Sequence, residues 1–384
     1  MTYARVCVKK SILFFYNFKY FLCFAKKVVS LHSKMNKELL HNKLIDWYEM
    51  NHRILPWRET TDPYKIWISE IILQQTRVAQ GMEYYQRLVT RFPDIQSLAD
   101  ANEDEVLLYW QGLGYYSRAR NMHAAAKIAA SSKLFNKVQD SSTLYDQLRE
   151  LPGVGDYTAG AIASFAFNLP YPALDGNVYR VLSRLYDCEI AFDTTQGKKH
   201  FRQLAEDLLD REHPRLFNSA IMELGALHCV PTAPDCSTCP INTWCKALEN
   251  NTVNLLPVRK PRAKVRDRYL EYTIYITPMR ETLIHQRKGN DIWKHLWEFP
   301  VEEIPSLEDA HSGYSLEACG EKAIDLTHVL SHQKLHARFV IKNVSELPEI
   351  PDTLVVSLSD LDNYAFSRLT LKALEKLAHI VFLN

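Results

Sequence analysis

Four cysteines, Cys229, Cys236, Cys239 and Cys245, fall within 17 residues in the pattern C-x6-C-x2-C-x5-C. Four thiolates so spaced can hold zinc or a 4Fe–4S cluster, because both take about tetrahedral sulfur ligation. Zinc ribbons usually supply two C-x2-C knuckles and this run has one, so the spacing leans towards the cluster. Pro231, Pro234 and Pro240 make the stretch a loop. Two carboxylates point to a second chemistry. Glu70 lies in Trp67-Ile68-Ser69-Glu70-Ile71-Ile72-Leu73-Gln74-Gln75-Thr76, where its helical neighbours are Ile66, Trp67, Leu73 and Gln74. A carboxyl desolvated on such a face has a raised pKa and can keep a proton near neutral pH, as a general acid must. An exposed glutamate beside a core stripe is the plainer alternative. Asp175, in Leu174-Asp175-Gly176-Asn177-Val178-Tyr179-Arg180, sits at a helix start. There an N-capping carboxylate accepts backbone N–H bonds that favour its ionised form. One carboxyl kept protonated and one kept charged are the acid and the electrostatic stabiliser of glycosidic cleavage.

The elements that must position these groups are legible in outline. Up to about Asn250, apolar residues recur at three- and four-residue spacings, broken at Leu55-Pro56, Asp62-Pro63, Phe92-Pro93, Gly112, Gly114 and Leu151-Pro152-Gly153. Asp62 before Pro63 reads as an N-cap followed by the proline tolerated at the first helical position. In Leu151-Pro152-Gly153-Val154-Gly155-Asp156-Tyr157, two glycines free the backbone to turn just before a helix. The unpaired N–H groups of that helix start suit a phosphate, and a plain helical turn is the alternative. Beyond a polar linker with Pro257 and Pro261 the period changes. Tyr269–Ile276, Arg338–Ile341 and Thr353–Val356 read as strands, and Ser367 caps a last helix. The chain is therefore multidomain, an all-α part followed by a smaller α/β part. The expected boundaries are 1–34, an artefact of start-site assignment or a dispensable amino-terminal extension; 35–250, helical, including the cysteine loop 229–245; 251–264, a basic linker; and 265–384.

Composition narrows the class. The 384 residues are 47% apolar and 24% charged with a net charge of +1, the balance of a globular protein of two or three domains. Arg259, Lys260, Arg262, Lys264, Arg266 and Arg268 against Asp267 form a local basic run that reads as a solvated linker or a phosphate contact. Cys7, Cys23, Cys188 and Cys319 are scattered, so no disulfide framework is implied, and the clustered four point to a reducing, cytoplasmic compartment. Residues 1–34 are too short and too broken in their apolar run for a membrane span.

Taken together, these motifs resemble the endonuclease III-type, helix-hairpin-helix glycosylase superfamily. Leu151–Gly155 is similar to its hairpin, Leu174–Val178 to its loop ending in an obligatory aspartate, and the cysteine spacing to its 4Fe–4S loop. Leu55-Pro56-Trp57-Arg58, Pro63-Tyr64-Lys65-Ile66-Trp67, Leu73-Gln74-Gln75-Thr76 and Gly112 to Asn121 resemble its adenine glycosylase branch. The resemblance implies that Glu70 protonates adenine N7 and that Asp175 stabilises the oxocarbenium-like sugar, with Tyr157 and Asn177 supporting them. It places Arg58 and Glu223 at the pocket of the flipped base, Gln75 and Tyr115 as wedges entering the stack, and Gly153 and Gly155 on the DNA. Bifunctional relatives carry a lysine where Tyr157 stands, so a monofunctional enzyme is expected.

The carboxy-terminal part resembles the family's Nudix-like domain, through Gln286-Arg287, Ile292-Trp293, Leu296–Pro300 and Leu330-Ser331-His332. Ser331 and His332 are then contacts to 8-oxoguanine. Leu330 replaces the family's phenylalanine, which puts a stacking contribution there in doubt. The acidic box of Nudix hydrolases is absent, so no pyrophosphatase activity is read. The implied partner is double-stranded DNA bearing 8-oxoguanine:A or G:A mispairs, acted on by a monomer, with no membrane. An endonuclease III-like lyase for oxidised pyrimidines is the alternative. The central expectation is that Glu70 and Asp175 face each other across a pocket large enough for an expelled purine.

Overall fold

The computed structural model describes residues 36–135, 141–261, 265–307 and 322–381. The expected extension 1–34, and Arg262 and Lys264 of the basic run, lie outside them. Two compact units form, each from two stretches of chain: residues up to Ile54 with Asn168–Lys260, and Leu55–Phe167 with Pro261–Asn384.

The first unit is helical. Helix Lys37–Asn51 is capped by Asn36, whose side chain accepts from Leu39 N at 3.1 Å. It buries Leu40 and Leu44, one turn apart, in a core with Leu185, Phe201, Phe217, Ile221 and Leu224. Each such side chain contributes roughly 1.5–3 kcal/mol by leaving water. Helices Gly176–Tyr186, Thr195–Leu208 and Pro214–Glu223 complete the scaffold, and the last runs into a π-turn over Leu224–His228. Gly225 in that turn has no substitute, since a Cβ there would stand 2.7 Å from Asn177 Cβ and 2.9 Å from Asn177 O. The cysteine loop follows.

The second unit combines helices with two sheets. Helix Pro63–Leu73 begins as expected, with Tyr64 N donating to Asp62 Oδ1 at 2.9 Å. Its length is almost wholly buried because Ile66, Trp67, Ile68, Ile71 and Ile72 face protein on every side. Helices Val78–Arg91, Ser117–Ser132 and Asp156–Phe167 pack against it, and Glu103–Trp110 packs on the first two of these. The carboxy-terminal strands are β1 (Arg266–Ile276), β2 (Glu281–Gln286), β3 (Trp297–Glu298), β4 (Val301–Ile304), β5 (Lys322–Val329), β6 (Gln333–Asn343) and β7 (Leu354–Ser357). They form one sheet of order β4-β1-β6-β5, with β1 and β6 parallel, and a second of order β3-β2-β7. Tyr272 stacks on Phe339 between β1 and β6, ring centroids 4.5 Å apart. The closing helix Arg368–Val381 starts at Ser367, whose Oγ accepts from Thr370 N at 3.1 Å.

Within this unit the helices and the sheets are joined by specific bonds. Tyr116 Oη accepts from Gly112 N and donates to Phe366 O, both at 3.1 Å, while Phe366 N donates to Gln111 Oε1 at 2.7 Å. Arg120 Nη1 donates to Lys294 O at 2.7 Å, and His295 Nδ1 pairs with Glu103 Oε1 at 2.5 Å. Among the described residues no helix is long and apolar enough to cross a membrane.

Candidate active site

Glu70 is 5% exposed, inside the buried length of helix Pro63–Leu73. Tyr157 Oη donates to Glu70 Oε2 at 2.5 Å. Tyr157 is the second residue of helix Asp156–Phe167, so the seat of this carboxylate depends on where the preceding glycine turn delivers that helix. Gly153 has φ +77°, and a Cβ there would stand 2.9 Å from Asn121 Cβ; Gly153 and Gly155 are both exposed. Gln74 Nε2 donates to Thr158 Oγ1 at 3.1 Å, tying the far end of the Glu70 helix to the same element. Arg58 is half-buried in the turn that Arg58 N closes on Leu55 O at 2.8 Å, next to the buried Trp57.

Asp175 is the N-cap of helix Gly176–Tyr186. Its Oδ1 accepts from Asn177 N at 2.9 Å and Val178 N at 2.8 Å, and its Oδ2 from Asn177 Nδ2 at 2.7 Å. The capping role is as expected; the direction of the pKa is not. The residue keeps some exposure, but its carboxyl is turned inward and burial pushes it above the ordinary carboxylate value. The bonds from Val178 and Asn177 and the nearby Arg180 pull it back only in part. A local motif shows the N–H donors and not the tertiary packing that removes water.

Arg180, given no role from the sequence, braces this seat. Its Nη2 donates to Asn177 Oδ1 at 2.9 Å and Gly225 O at 2.5 Å, and its Nε to Cys229 O at 2.7 Å. Its signal was present, since Asn177 and Arg180 stand three apart on one helical face. Glu223 is fully buried and gripped by Arg53, which donates from N at 2.9 Å, Nε at 2.7 Å and Nη2 at 2.8 Å. Nothing in the sequence could reveal that pair, which spans 170 positions.

Gln75 and Tyr115 are exposed, and both have left-handed backbone, φ 59° and 49°. Ser331 and His332 form the exposed turn between β5 and β6, closed by Leu330 N donating to Gln333 O at 2.7 Å. Leu330 itself packs against the sheet core.

Cys229, Cys236, Cys239 and Cys245 form no disulfide. Burial pushes the Cys239 thiol up to about 12, and the thiols of Cys229, Cys245 and Cys236 push in the same direction. Arg184 Nη1 lies 3.3 Å from Cys229 Sγ and also donates to Val230 O at 2.8 Å. Among the described residues, no three His, Cys, Asp or Glu side chains converge as the ligands of a single ion.

Residues 68–210 match the HhH-GPD superfamily base excision DNA repair protein family, and residues 272–376 match the NUDIX domain family. An adenine DNA glycosylase of Buchnera aphidicola subsp. Baizongia pistaciae is 37% identical over 317 residues, covering 81% of this chain and 86% of that protein. The adenine DNA glycosylase of Homo sapiens is 41% identical over 212 residues, 53% of this chain and 38% of its own length. A solved thermostable thymine-DNA glycosylase overlays at TM-score 0.49 with 24% identity over 56% of this chain and 97% of its own. By the length and level of the Buchnera match, resting on a repair-glycosylase domain followed by a NUDIX domain, this chain belongs to the adenine DNA glycosylase family of base-excision repair enzymes.

Proposed function

We propose that this chain removes adenine mispaired with 8-oxoguanine, or with G, from duplex DNA. It hydrolyses the N-glycosidic bond after the base is flipped and leaves the strand uncut. The observation that carries this reading is the buried Glu70 carboxyl with Tyr157 Oη on its Oε2 at 2.5 Å. A carboxyl so placed, when protonated, delivers its proton to adenine N7 and turns the base into a leaving group; afterwards it orients water. Tyr157 orients the carboxyl for that transfer. Asp175, its oxygens fixed by Asn177 and Val178, meets the positive charge that develops on the sugar. A charge appearing there lowers the pKa that burial raises, so the carboxyl is ionised when it is needed.

Arg58 and Glu223 line the pocket of the flipped adenine. Gln75 and Tyr115 fill the gap left in the stack, which otherwise costs a few kcal/mol. Gly153 and Gly155 present helix N–H groups to a phosphate. Ser331 and His332, on an exposed two-residue turn, read the 8-oxoguanine. Residues 35–250 are the catalytic domain, 251–264 the linker and 265–384 the damage-reading domain, acting as a cytoplasmic monomer. The four cysteines hold a 4Fe–4S cluster. The cysteine spacing and the Arg184 guanidinium beside Cys229 Sγ fit a negatively charged sulfur site. Bound there, the cluster supplies a covalent tie across a loop that has little core of its own.

Between Gly153 and Gly160 there is no lysine, so no Schiff base is available for strand cleavage at that position. Duplexes bearing A opposite 8-oxoguanine, A opposite G, or thymine glycol are incubated with the enzyme and split into alkali-treated and untreated halves. Nicks that appear on the first two only after alkali support the proposal. Cutting of thymine glycol without alkali, or robust borohydride trapping on DNA, overturns it in favour of the endonuclease III-like lyase.

A further inference from the structure

Two separate loops carry Gln75 and Tyr115, and both residues hold a backbone that L side chains rarely adopt. Two loops with independent freedom would each have to be ordered at the moment a base leaves the stack. One side chain already joins them. Arg118, 8% exposed, is the second residue of helix Ser117–Ser132. Its Nη1 donates to Ile71 O at 3.0 Å and Ile72 O at 2.8 Å, to Thr76 Oγ1 at 3.3 Å and to Gln74 O. Its Nη2 donates to Gly114 O at 3.1 Å. The guanidinium lies 5.6 Å from the Tyr115 ring centroid and 5.1 Å from that of Trp110.

The carbonyls of Ile71 and Ile72 belong to the last turn of the helix that carries Glu70, where the helix supplies no N–H partner. Arg118 therefore caps that helix, fixes the residues on either side of Gln75, and holds the residue before Tyr115. Burial lowers its pKa to about 10, which leaves it a cation at neutral pH. The planar fork is what reaches both loops at once; a lysine ammonium in its place has one charged centre and cannot span them.

We propose that Arg118 is a positioning residue that makes Gln75 and Tyr115 a single two-pronged wedge, so that the two enter the base stack together. This rests on the reading of Gln75 and Tyr115 as wedge residues and deepens it. The consequence falls on base extrusion and leaves bond cleavage itself alone.

The test uses the full chain under single-turnover conditions with two duplexes. In one the adenine is paired with 8-oxoguanine and has 2-aminopurine beside it to report unstacking. In the other the same adenine faces an abasic site and has no pair to break. Arg118→Lys is expected to lose about 100-fold in rate on the paired duplex, together with the 2-aminopurine rise. The same variant is expected to lose far less on the unpaired adenine, where only its cap on the Glu70 helix is felt. Equal losses on both duplexes, with the fluorescence rise intact, would overturn the proposal, because Arg118 would then support only the Glu70 helix. A second measurement needs no change at Arg118. In the native background, Gln75→Ala and Tyr115→Ala should be strongly non-additive in the fluorescence rise, since removing one prong disables the other. Large but additive losses overturn the single wedge and leave the wedge reading standing. No loss in either single variant overturns the wedge reading itself, and the proposal with it.

Discussion

The two carboxylates read as catalytic sit in different units and are seated by opposite devices. Asp175 is held locally: a helix start supplies two N–H groups and the next asparagine a third donor, all within three residues. Glu70, in the middle of a buried helix, accepts from a phenol 87 positions further along the chain. The first seat is written into a short motif, but it is braced from Gly225 and Cys229 through Arg180 and desolvated by packing the motif does not control. The second is desolvated by its own helix, and its orientation depends on a glycine turn setting Tyr157. Local seating thus secures geometry, and distant seating makes geometry depend on how two helices are brought together.

The largest effect expected from this contrast is at Glu70. Glu70→Gln keeps size and burial but has no transferable proton, and a loss of at least about 1,000-fold in single-turnover cleavage of 8-oxoguanine:A duplex is expected. Gel-shift affinity for the duplex should stay near native. A loss below about tenfold would mean that Glu70 is a core residue and that the comparison compares the wrong pair.

Asp175→Asn should keep the two backbone bonds of the cap on Oδ1 while removing the charge and turning the Oδ2 position, which accepts from Asn177 Nδ2, into a donor; a loss of about 100-fold or more in cleavage is expected. The pH trend of stability is the sharper readout. A carboxyl with a folded pKa above the ordinary 3.8 favours folding while it is protonated, and that advantage disappears as pH rises through the folded value. The asparagine variant, which does not titrate, should therefore gain stability relative to native as pH rises from about 3 towards 7. Thermal melts across that range check the trend, and a variant that loses ground to native as pH rises refutes the desolvated seat.

Arg180→Met probes the brace of the same seat. It takes the Arg180 donor from the Gly225 carbonyl and the Asn177 amide oxygen, and one of two donors from the Cys229 carbonyl, which Arg184 also reaches; the cost is about 1–3 kcal/mol for a buried group left unpaired. The expected result is a lowered urea midpoint with an unchanged slope. Tyr157→Phe should have the smallest effect, about tenfold in rate, because it removes the hydrogen bond that orients the Glu70 carboxyl and little packing. Its stability should be within about 1 kcal/mol of native. A stability loss as large as that of Arg180→Met would show that the distant seat is also structural.

The same contrast explains what the sequence made legible. The helix at Pro63, the cap at Asp175, the strands around Tyr272, Phe339 and Val356 and the cap at Ser367 are local patterns, and each lies where it was expected. β2 and β5 were not read. Glu281–Gln286 and Lys322–Val329 mix polar and apolar residues too evenly for a strand signal, and only pairing with β7 and β6 defines them. The Arg53–Glu223 pair and the Arg118 bonds were invisible for a different reason. Both are tertiary, and an arginine in a helical run has the same local pattern whether it is solvated or buried. The direction of the Asp175 pKa failed on that account too.

The bond from Tyr116 to the Phe366 carbonyl, with its companion from Phe366 N to Gln111, bears on how damage to the coding sequence acts. A premature stop just before the closing helix removes the last 19 or so residues, yet its first casualty lies some 250 positions upstream. The segment from Gly112 to Tyr116 loses the anchors on its flank, so the shortened product carries a loop lesion as well as a missing tail. Faster hydrogen exchange at the Gly112 amide in a chain ending at Ala365 would report it, before any assay on DNA is made.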